Sequence, residues 1–457
     1  MRRSARLGFG STEGVGRLGS LSATLGAGSG VQLLGALAGF VALPLQINAL
    51  GSSAFGVLVV VVALAPWLTL IDGALYPATR LLVGESRQLG DAFTAPYGLL
   101  RSAFRMALKI AVGNVATLTL GLVILPLVAI FGSRGVSDRR ELVLAILVFA
   151  LPIIASGPGG VYLGALEGVG RTVVAAIFAG SGPLVALPLT VVVVSTGGGL
   201  VTLCAVQGLA VAVPRLCAWT YWHLRPSTGS VDAVGAAGLR LALVWQMVLL
   251  STANVIQTGL DPVIVSSQLG AQDAGSFGLA NRLVMGALIP LVVLTPLFAS
   301  NLAAARGTGW SAGRSTELRH LVLQAGLAGL GVSLCVTFLG PVLARLLGGG
   351  EVAAPLGLYG AGGLFVFATF LCAPLYLAFS GPSGLARSVA LNIGLVVLNI
   401  SLSFWLVNLW GPSGPLWASA FAGLCAFGFW LLMWRRHPDW LGEPHGAIRP
   451  SAEASGD

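Results

Sequence analysis

The sequence predicts an all-α integral membrane protein of about twelve transmembrane helices, built as two six-helix lobes related by a pseudo-two-fold axis along the membrane normal. Three observations predict it. Hydrophobic residues make up 56% of the 457-residue chain and charged residues only 9%, against roughly 25% charged in an average soluble domain. Apolar stretches long enough to cross a hydrocarbon core of about 30 Å at 1.5 Å per helical residue recur from end to end. The chain also repeats itself in order: Pro44 matches Pro262, Leu50-Gly51 matches Leu269-Gly270, Phe55-Gly56 matches Phe277-Gly278, Pro126 matches Pro341, Pro158 matches Pro374, Tyr162 matches Tyr376, Arg171 matches Arg387 and His223 matches His437, with offsets of 214 to 222. A collinear series of helix breakers and rare residues in so apolar a chain is the architecture of a duplicated membrane transporter.

The spans follow in order. Span 1 (20–45) is the first long apolar run, and Gln32 and Gln46 fall about 40° apart around its axis. Span 2 (57–80) carries Asp72, Tyr76 and Arg80 at i, i+4 and i+8. Span 3 (107–131) follows the basic stretch Arg101, Arg105 and Lys109. Span 4 (141–166) opens after Arg139-Arg140 and ends before Gly170-Arg171. Spans 5 (173–194) and 6 (200–222) are parted by the glycine run 197–199. Span 7 (241–268) follows Arg240, and span 8 (277–300) follows Leu269-Gly270. Spans 9 (319–345), 10 (353–379), 11 (387–410) and 12 (415–434) are bounded by Arg319, Arg345, Arg387 and Arg435-Arg436. Glycine-rich joints near 157–160, 197–199 and 361–363 are the places where a span would break. The resulting organisation is a cytoplasmic tail (1–19), an N-lobe (20–222), a linker (223–240), a C-lobe (241–437) and a polar C-terminal tail (438–457).

Basic residues set the orientation. With both termini cytoplasmic, only Arg134, Arg139, Arg140, Arg282 and Arg345 of the 25 Lys and Arg residues fall outside, which the positive-inside rule reads as N-in, C-in. The net charge of +9 is thereby accounted for by topology. Scattered over separate loops, it offers no nucleic-acid surface. Residues 1–19 have no short apolar core of a cleaved signal peptide, so the first span is expected to act as an uncleaved signal anchor.

Enzymatic classes find no support. No loop is long enough for a catalytic domain, and His223, His320, His437 and His445 are too dispersed for a metal site or a general-base pair. Cys204, Cys217, Cys335, Cys372 and Cys425 show no metal-ligand spacing and read as buried thiols. Neither a metal nor a cofactor is expected.

Intramembrane polar residues are the candidates for function, because an ionised side chain at the bilayer centre costs about 2.5–3.5 kcal/mol on insertion scales. On span 7, Gln246, Asn254, Gln257 and Asp261 form one stripe if each residue turns about 100°. Together with Asp72, Tyr76 and Arg80 on span 2, and Asn392 and Asn399 on span 11, they would line a hydrophilic lumen suited to hydroxyl-rich cargo. Asn392 and Asn399 have a second reading as helix-to-helix bonds. Asp72 and Asp261 are candidates for ion coupling, while Asp261 with Arg282 reads alternatively as an ion pair between spans 7 and 8. Arg80, Arg101, Arg105 and Arg240 are candidates to bind a phosphate-bearing head group. Arg101, Arg105 and Lys109 also suit topology and lipid phosphates. Glu167 and Arg171, four apart, suggest a local pair.

Six spans per repeat fit the major facilitator fold and the multidrug/oligosaccharidyl-lipid/polysaccharide (MOP) exporter fold. The loop 84–91 lacks the Gly, Asp-Arg and Gly-Arg-Arg run of the facilitators. Leu50-Gly51 with Phe55-Gly56, Asp72-Gly73 with Arg80, Tyr162 to Gly170-Arg171, and Leu269-Gly270 leading to Gly278-Leu279-Ala280-Asn281-Arg282-Leu283 resemble the Wzx-type polysaccharide flippases of the MOP superfamily. That resemblance implies transfer of an undecaprenyl-pyrophosphate-linked oligosaccharide from the inner to the outer leaflet by alternating access, for polysaccharide or O-antigen export. It implies a monomer, with polysaccharide polymerase machinery as a candidate partner. The alternative within the same fold is a cation-coupled multidrug (MATE-type) antiporter.

Overall fold

A computed structural model of the chain describes residues 13–88, 97–124, 139–224, 241–291, 294–295, 312–348, 355–379 and 385–436. These residues fold into α1 (Glu13–Val62), α2 (Leu70–Gln88), α3 (Tyr97–Ile124), α4 (Arg139–Ser156), α5 (Gly160–Gly168), α6 (Thr172–Ser195), α7 (Leu200–His223), α8 (Leu241–Gly259), α9 (Asp261–Leu269), α10 (Ala271–Ala287), α11 (Ala312–Leu347), α12 (Leu356–Phe379), α13 (Leu385–Trp410) and α14 (Gly414–Arg436). Ten stretches among them are long and apolar enough to cross a membrane. Two of these contain a glycine that turns the chain, Gly51 within Gly30–Leu68 and Gly411 within Arg387–Arg436. The count therefore comes to about twelve, and the chain is a multi-pass membrane protein.

Local chemistry explains where the helices end, and it moves several expected boundaries. Span 1 does not stop at 45. Helix α1 carries Pro44 without interruption and kinks at Gly51, whose φ of 72° and ψ of 167° suit only a residue without Cβ. The helix resumes at 52 rather than 57, then breaks again over 63–69. There Pro66 supplies no N–H to the Val62 carbonyl and nucleates the short turn Ala65–Leu68. Span 7 only bends at Leu260, ahead of Asp261-Pro262, and helical hydrogen bonds from Leu260 to Ile256 and from Ile264 to Leu260 continue through it. The joint at 157–159 becomes a single 3₁₀ turn between α4 and α5, the joint at 197–199 separates α6 from α7, and 361–363 passes unbroken through α12.

The duplication is visible in backbone geometry. Gly270 reverses the chain with φ 101° at the position matched to Gly51. Gly197 (φ 74°) and Gly411 (φ 61°) form a further matched pair that the motif series does not contain. Their offset, 411 − 197 = 214, equals that of His223 and His437. Beyond Gly51 and Gly270 both second helices falter at a Leu-x-Pro: the chain breaks at Leu64-Ala65-Pro66, and the helix of α10 is interrupted at Leu288, two residues before Pro290.

Small residues let the helices approach, which matters where lipid tails remove the hydrophobic drive between helices. A Cβ on Gly35 of α1 would lie 2.9 Å from the Gly180 carbonyl of α6. Gly164 sits against the Tyr76 carbonyl, and Gly208 against that of Phe149. Apolar rows at helical spacing, such as Leu33, Leu37 and Val41 on α1 and Leu108, Val112 and Val115 on α3, are left exposed and form the lipid face.

The two copies meet segment to segment. Residues 52–62 pack on α10, with Gly56 against the Ala271 carbonyl, Gly275 against Ser52 and Gly56, and Gly278 against Val59. Phe55 and Phe277, a matched pair, are both fully buried in the cluster that fills this junction.

Candidate functional site

Asp261 follows a bend at Leu260, where the backbone keeps helical angles (φ −80°, ψ −30°). As the first residue of α9, followed by Pro262, its side chain turns into the C-lobe between α13 and α14, where it is 6% exposed. Ser403 Oγ donates to Asp261 Oδ1 at 3.3 Å. Ser419 Oγ lies 3.3 Å from Asp261 Oδ2 and equally 3.3 Å from Asn399 Oδ1. Asn399 Nδ2 donates to the Gln257 carbonyl at 3.5 Å. One hydroxyl hydrogen cannot fully serve two oxygens, so this buried cluster holds more acceptors than donors. Among the described residues no Lys or Arg lies within ion-pair distance of Asp261, and no three His, Cys, Asp or Glu side chains gather as a metal cluster. A cation here would meet one carboxylate and several neutral oxygens, a set suited to a proton or a hard alkali ion.

The opposite imbalance lies across the lobes. Arg282 of α10, about 18 Å along the helix from Gly270 at 1.5 Å per residue, donates Nη1 to Gln46 Oε1 of α1 at 3.2 Å. Its guanidinium carbon sits 5.8 Å from the centre of the Phe55 ring. Gln46 is fully buried and its Nε2 has no acceptor among the described residues. A guanidinium offers five N–H donors, so Gln46 and Arg282 together present donors that one amide oxygen and one aromatic face do not satisfy. The Asp261–Arg282 ion pair does not form: Asp261 is held by Ser403 and Ser419 in the C-lobe interior, while Arg282 reaches Gln46 of the other lobe.

The N-lobe mouth is organised by a glycine face. Gly164 and Gly168 bring α5 against α2, and Glu167 beside them pairs with Arg80 (Oε2 to Nη1, 3.1 Å) and hydrogen-bonds the Tyr76 hydroxyl. The expected local pairing of Glu167 with Arg171 gives way to this contact between helices, and Arg171 donates Nη1 to the Tyr221 hydroxyl at 2.7 Å. Arg101 and Arg105 stand exposed on α3. Further in, Asn114 of α3 donates Nδ2 to the Leu68 carbonyl at 2.9 Å, pinning the break in the second crossing.

The lumen-lining set is thus redistributed. Asn399 is a buried C-lobe residue that bonds the Gln257 carbonyl of α8, and Asn392, seven residues earlier on the same helix, bonds the Ser388 carbonyl at 2.7 Å. Gln246 and Gln257 remain partly buried on α8, and Asp261 follows at the start of α9 across a bend at Leu260 whose backbone keeps helical angles (φ −80°, ψ −30°). The side chains of Asp72 and Asn254, together with Arg240 and residues 1–12, 225–240 and 437–457, lie outside the described residues. Ser403 and Ser419 escaped the sequence reading because membrane helices use serine freely. The only sequence signal for either was the four-residue spacing of Ser403 from Asn399.

No family model and no curated protein matches the sequence. Solved structures do. A multidrug resistance MATE family transporter of the MOP superfamily in its inward-facing conformation is 17% identical over 89% of this chain and 95% of its own, with a TM-score of 0.70. The outward-facing conformation of such a transporter scores 0.62 at 18% identity, over 92% and 95%. A MOP superfamily transporter from Pyrococcus furiosus, described as having a binding pocket of reverse polarity that suggests a different function, scores 0.60 at 17% identity, over 93% and 96%. At such identities the likeness carries the fold, which is MATE-like and not that of the major facilitators.

Proposed function

We propose that the chain is a MOP-type transporter that moves an undecaprenyl-pyrophosphate-linked oligosaccharide from the inner to the outer leaflet of a bacterial plasma membrane by alternating access. The observation that carries this reading is the donor surplus at Arg282 and Gln46. A cationic drug would be repelled by a guanidinium that no carboxylate among the described residues balances, whereas phosphate oxygens would satisfy it bidentately. Arg101 and Arg105, with Arg240 beyond them in sequence, collect the pyrophosphate at the cytoplasmic mouth. Arg80, already held by Glu167, contributes less charge. Gln246, Gln257, Asn254 and Asp72 flank the glycan path, and the prenyl tail stays in lipid. Binding of a proton or alkali cation at Asp261, Asn399, Ser403 and Ser419 biases the cycle, because neutralising a buried carboxylate changes how α9, α13 and α14 pack.

The test uses a strain lacking the gene, with lipid-linked oligosaccharide located by an impermeant glycan label. Inner-leaflet accumulation and lost surface polymer, restored by the wild type but not by Arg282→Ala, is the expected result. The acceptor-rich cluster at Asp261 equally suits a cation-coupled multidrug antiporter. Unchanged glycan with raised retention of cationic dyes would select that function.

A further inference from the structure

The seam between the two copies lies at the helix ends marked by Gly51 and Gly270, which is the outer end in an N-in orientation. Its packing is small and apolar: Gly56 on Ala271, Gly275 on Ser52, Gly278 on Val59. Such a surface closes tightly but holds weakly, since it offers shape and little directional attraction. Gln46 and Arg282 add a side-chain hydrogen bond that joins α1 to α10 beside this seam. We infer that they form an anion-operated latch: Gln46 Oε1 engages the guanidinium and holds the lobes together, and a phosphate oxygen that takes the guanidinium and the idle Gln46 Nε2 lets the lobes part. The latch rests on the flippase reading for the identity of the anion.

Three features support it. The retained acceptor is a neutral amide, and an anionic oxygen binds a guanidinium roughly twice as strongly, so the substrate outcompetes the latch while no cargo means no competitor. Gln46 Nε2 is buried without an acceptor among the described residues, a position ready to donate to the arriving anion. Phe55 covers the guanidinium face at 5.8 Å, which keeps Arg282 at the seam after Oε1 is displaced. A carboxylate at position 46 would form a pair too strong to release. An amide holds the lobes and still lets go.

The experiment places Val59→Cys, 7% exposed and packed on Gly278, in the full chain with the five native cysteines replaced. Proteoliposomes are labelled from the outer face with an impermeant maleimide, with and without inorganic pyrophosphate at the inner face. Pyrophosphate is expected to speed labelling several-fold. Gln46→Glu should slow the basal rate about tenfold and remove the response, because a charge-assisted pair replaces a neutral acceptor. Gln46→Leu, close in volume, should raise the basal rate a few-fold. Opposite signs from two substitutions at one buried site are not what general destabilisation produces. The latch is overturned if wild-type labelling ignores pyrophosphate, if both Gln46 variants move in one direction, or if the response survives Arg282→Ala. Should the latch fail while Arg282→Ala still traps glycan lipid in the inner leaflet, only the latch is lost. Should glycan lipid distribute normally in the deletion strain, the flippase reading is lost on its own.

Discussion

Gly56→Ala tests whether the seam is a gate or a permanent interface. The added Cβ falls on the Ala271 carbonyl, backbone of a helix that cannot swing aside as a side chain would. Overpacking of this kind costs about 1–3 kcal/mol. If the lobes can separate, the strain is relieved by parting rather than by unfolding. The open state then gains a factor of about 5 to 150, the range that corresponds to 1–3 kcal/mol. Labelling of Val59→Cys from the outer face should rise accordingly. Thermal stability should hold or improve, because alanine favours a helix interior over glycine by about 1 kcal/mol in either state. Gly164→Ala is the control. Its Cβ likewise falls on a backbone oxygen, the Tyr76 carbonyl, though less closely, but α5 and α2 belong to one lobe and have no open state to escape into, so the melting temperature should fall. A Gly56→Ala protein that melts low and labels like its parent would refute the idea that this seam opens.

Asp261→Asn should abolish any dependence of transport on a proton or sodium gradient while the protein still inserts, read by transport into vesicles with each gradient imposed in turn. Asn114→Leu strands the Leu68 carbonyl and should cost about 0.6–2 kcal/mol, the scale of hydrogen bonds in membrane proteins, seen as a lower melting temperature in detergent. Arg101→Ala with Arg105→Ala should slow glycan-lipid transport more than Arg80→Ala does, because Glu167 already offsets Arg80 at 3.1 Å; equal effects in a flipping assay would count against this assignment.

What the sequence disclosed and what it withheld divide along a physical line. Helix breakers act locally, so Gly51 and Gly270, and the pairing of Phe55-Gly56 with Phe277-Gly278, mark the duplicated frame in the sequence itself. Facing directions within a helix followed from its period, but which neighbour a face meets did not: Asp261 meets Ser403 and Ser419 inside the C-lobe. Partnerships were least legible. Arg282 meets Gln46 at a separation of 236 residues, and Glu167 chose Arg80 over a neighbour four residues away. Neither choice leaves a trace in spacing, because both depend on how the lobes and their helices dock.

The duplication also separates scaffold from function. With Pro44 matched to Pro262, Asp261 corresponds to Leu43. With Phe55 matched to Phe277, Arg282 corresponds to Val60. Leu43 and Val60 are fully buried and apolar, so the repeat unit packs well at both positions without a charge. Both ionisable side chains are additions carried by the second copy alone, and intramembrane charge with no opposite partner among the described residues is a burden that folding would shed. Replacing each with its first-copy counterpart, Asp261→Leu and Arg282→Val, should therefore leave the melting temperature unchanged or raise it while abolishing transport of the glycan lipid. Measured together in the purified protein and the deletion strain, loss of fold would make these charges structural, and retained transport would make them incidental. A stable, inert transporter is the result that assigns both side chains to the cycle.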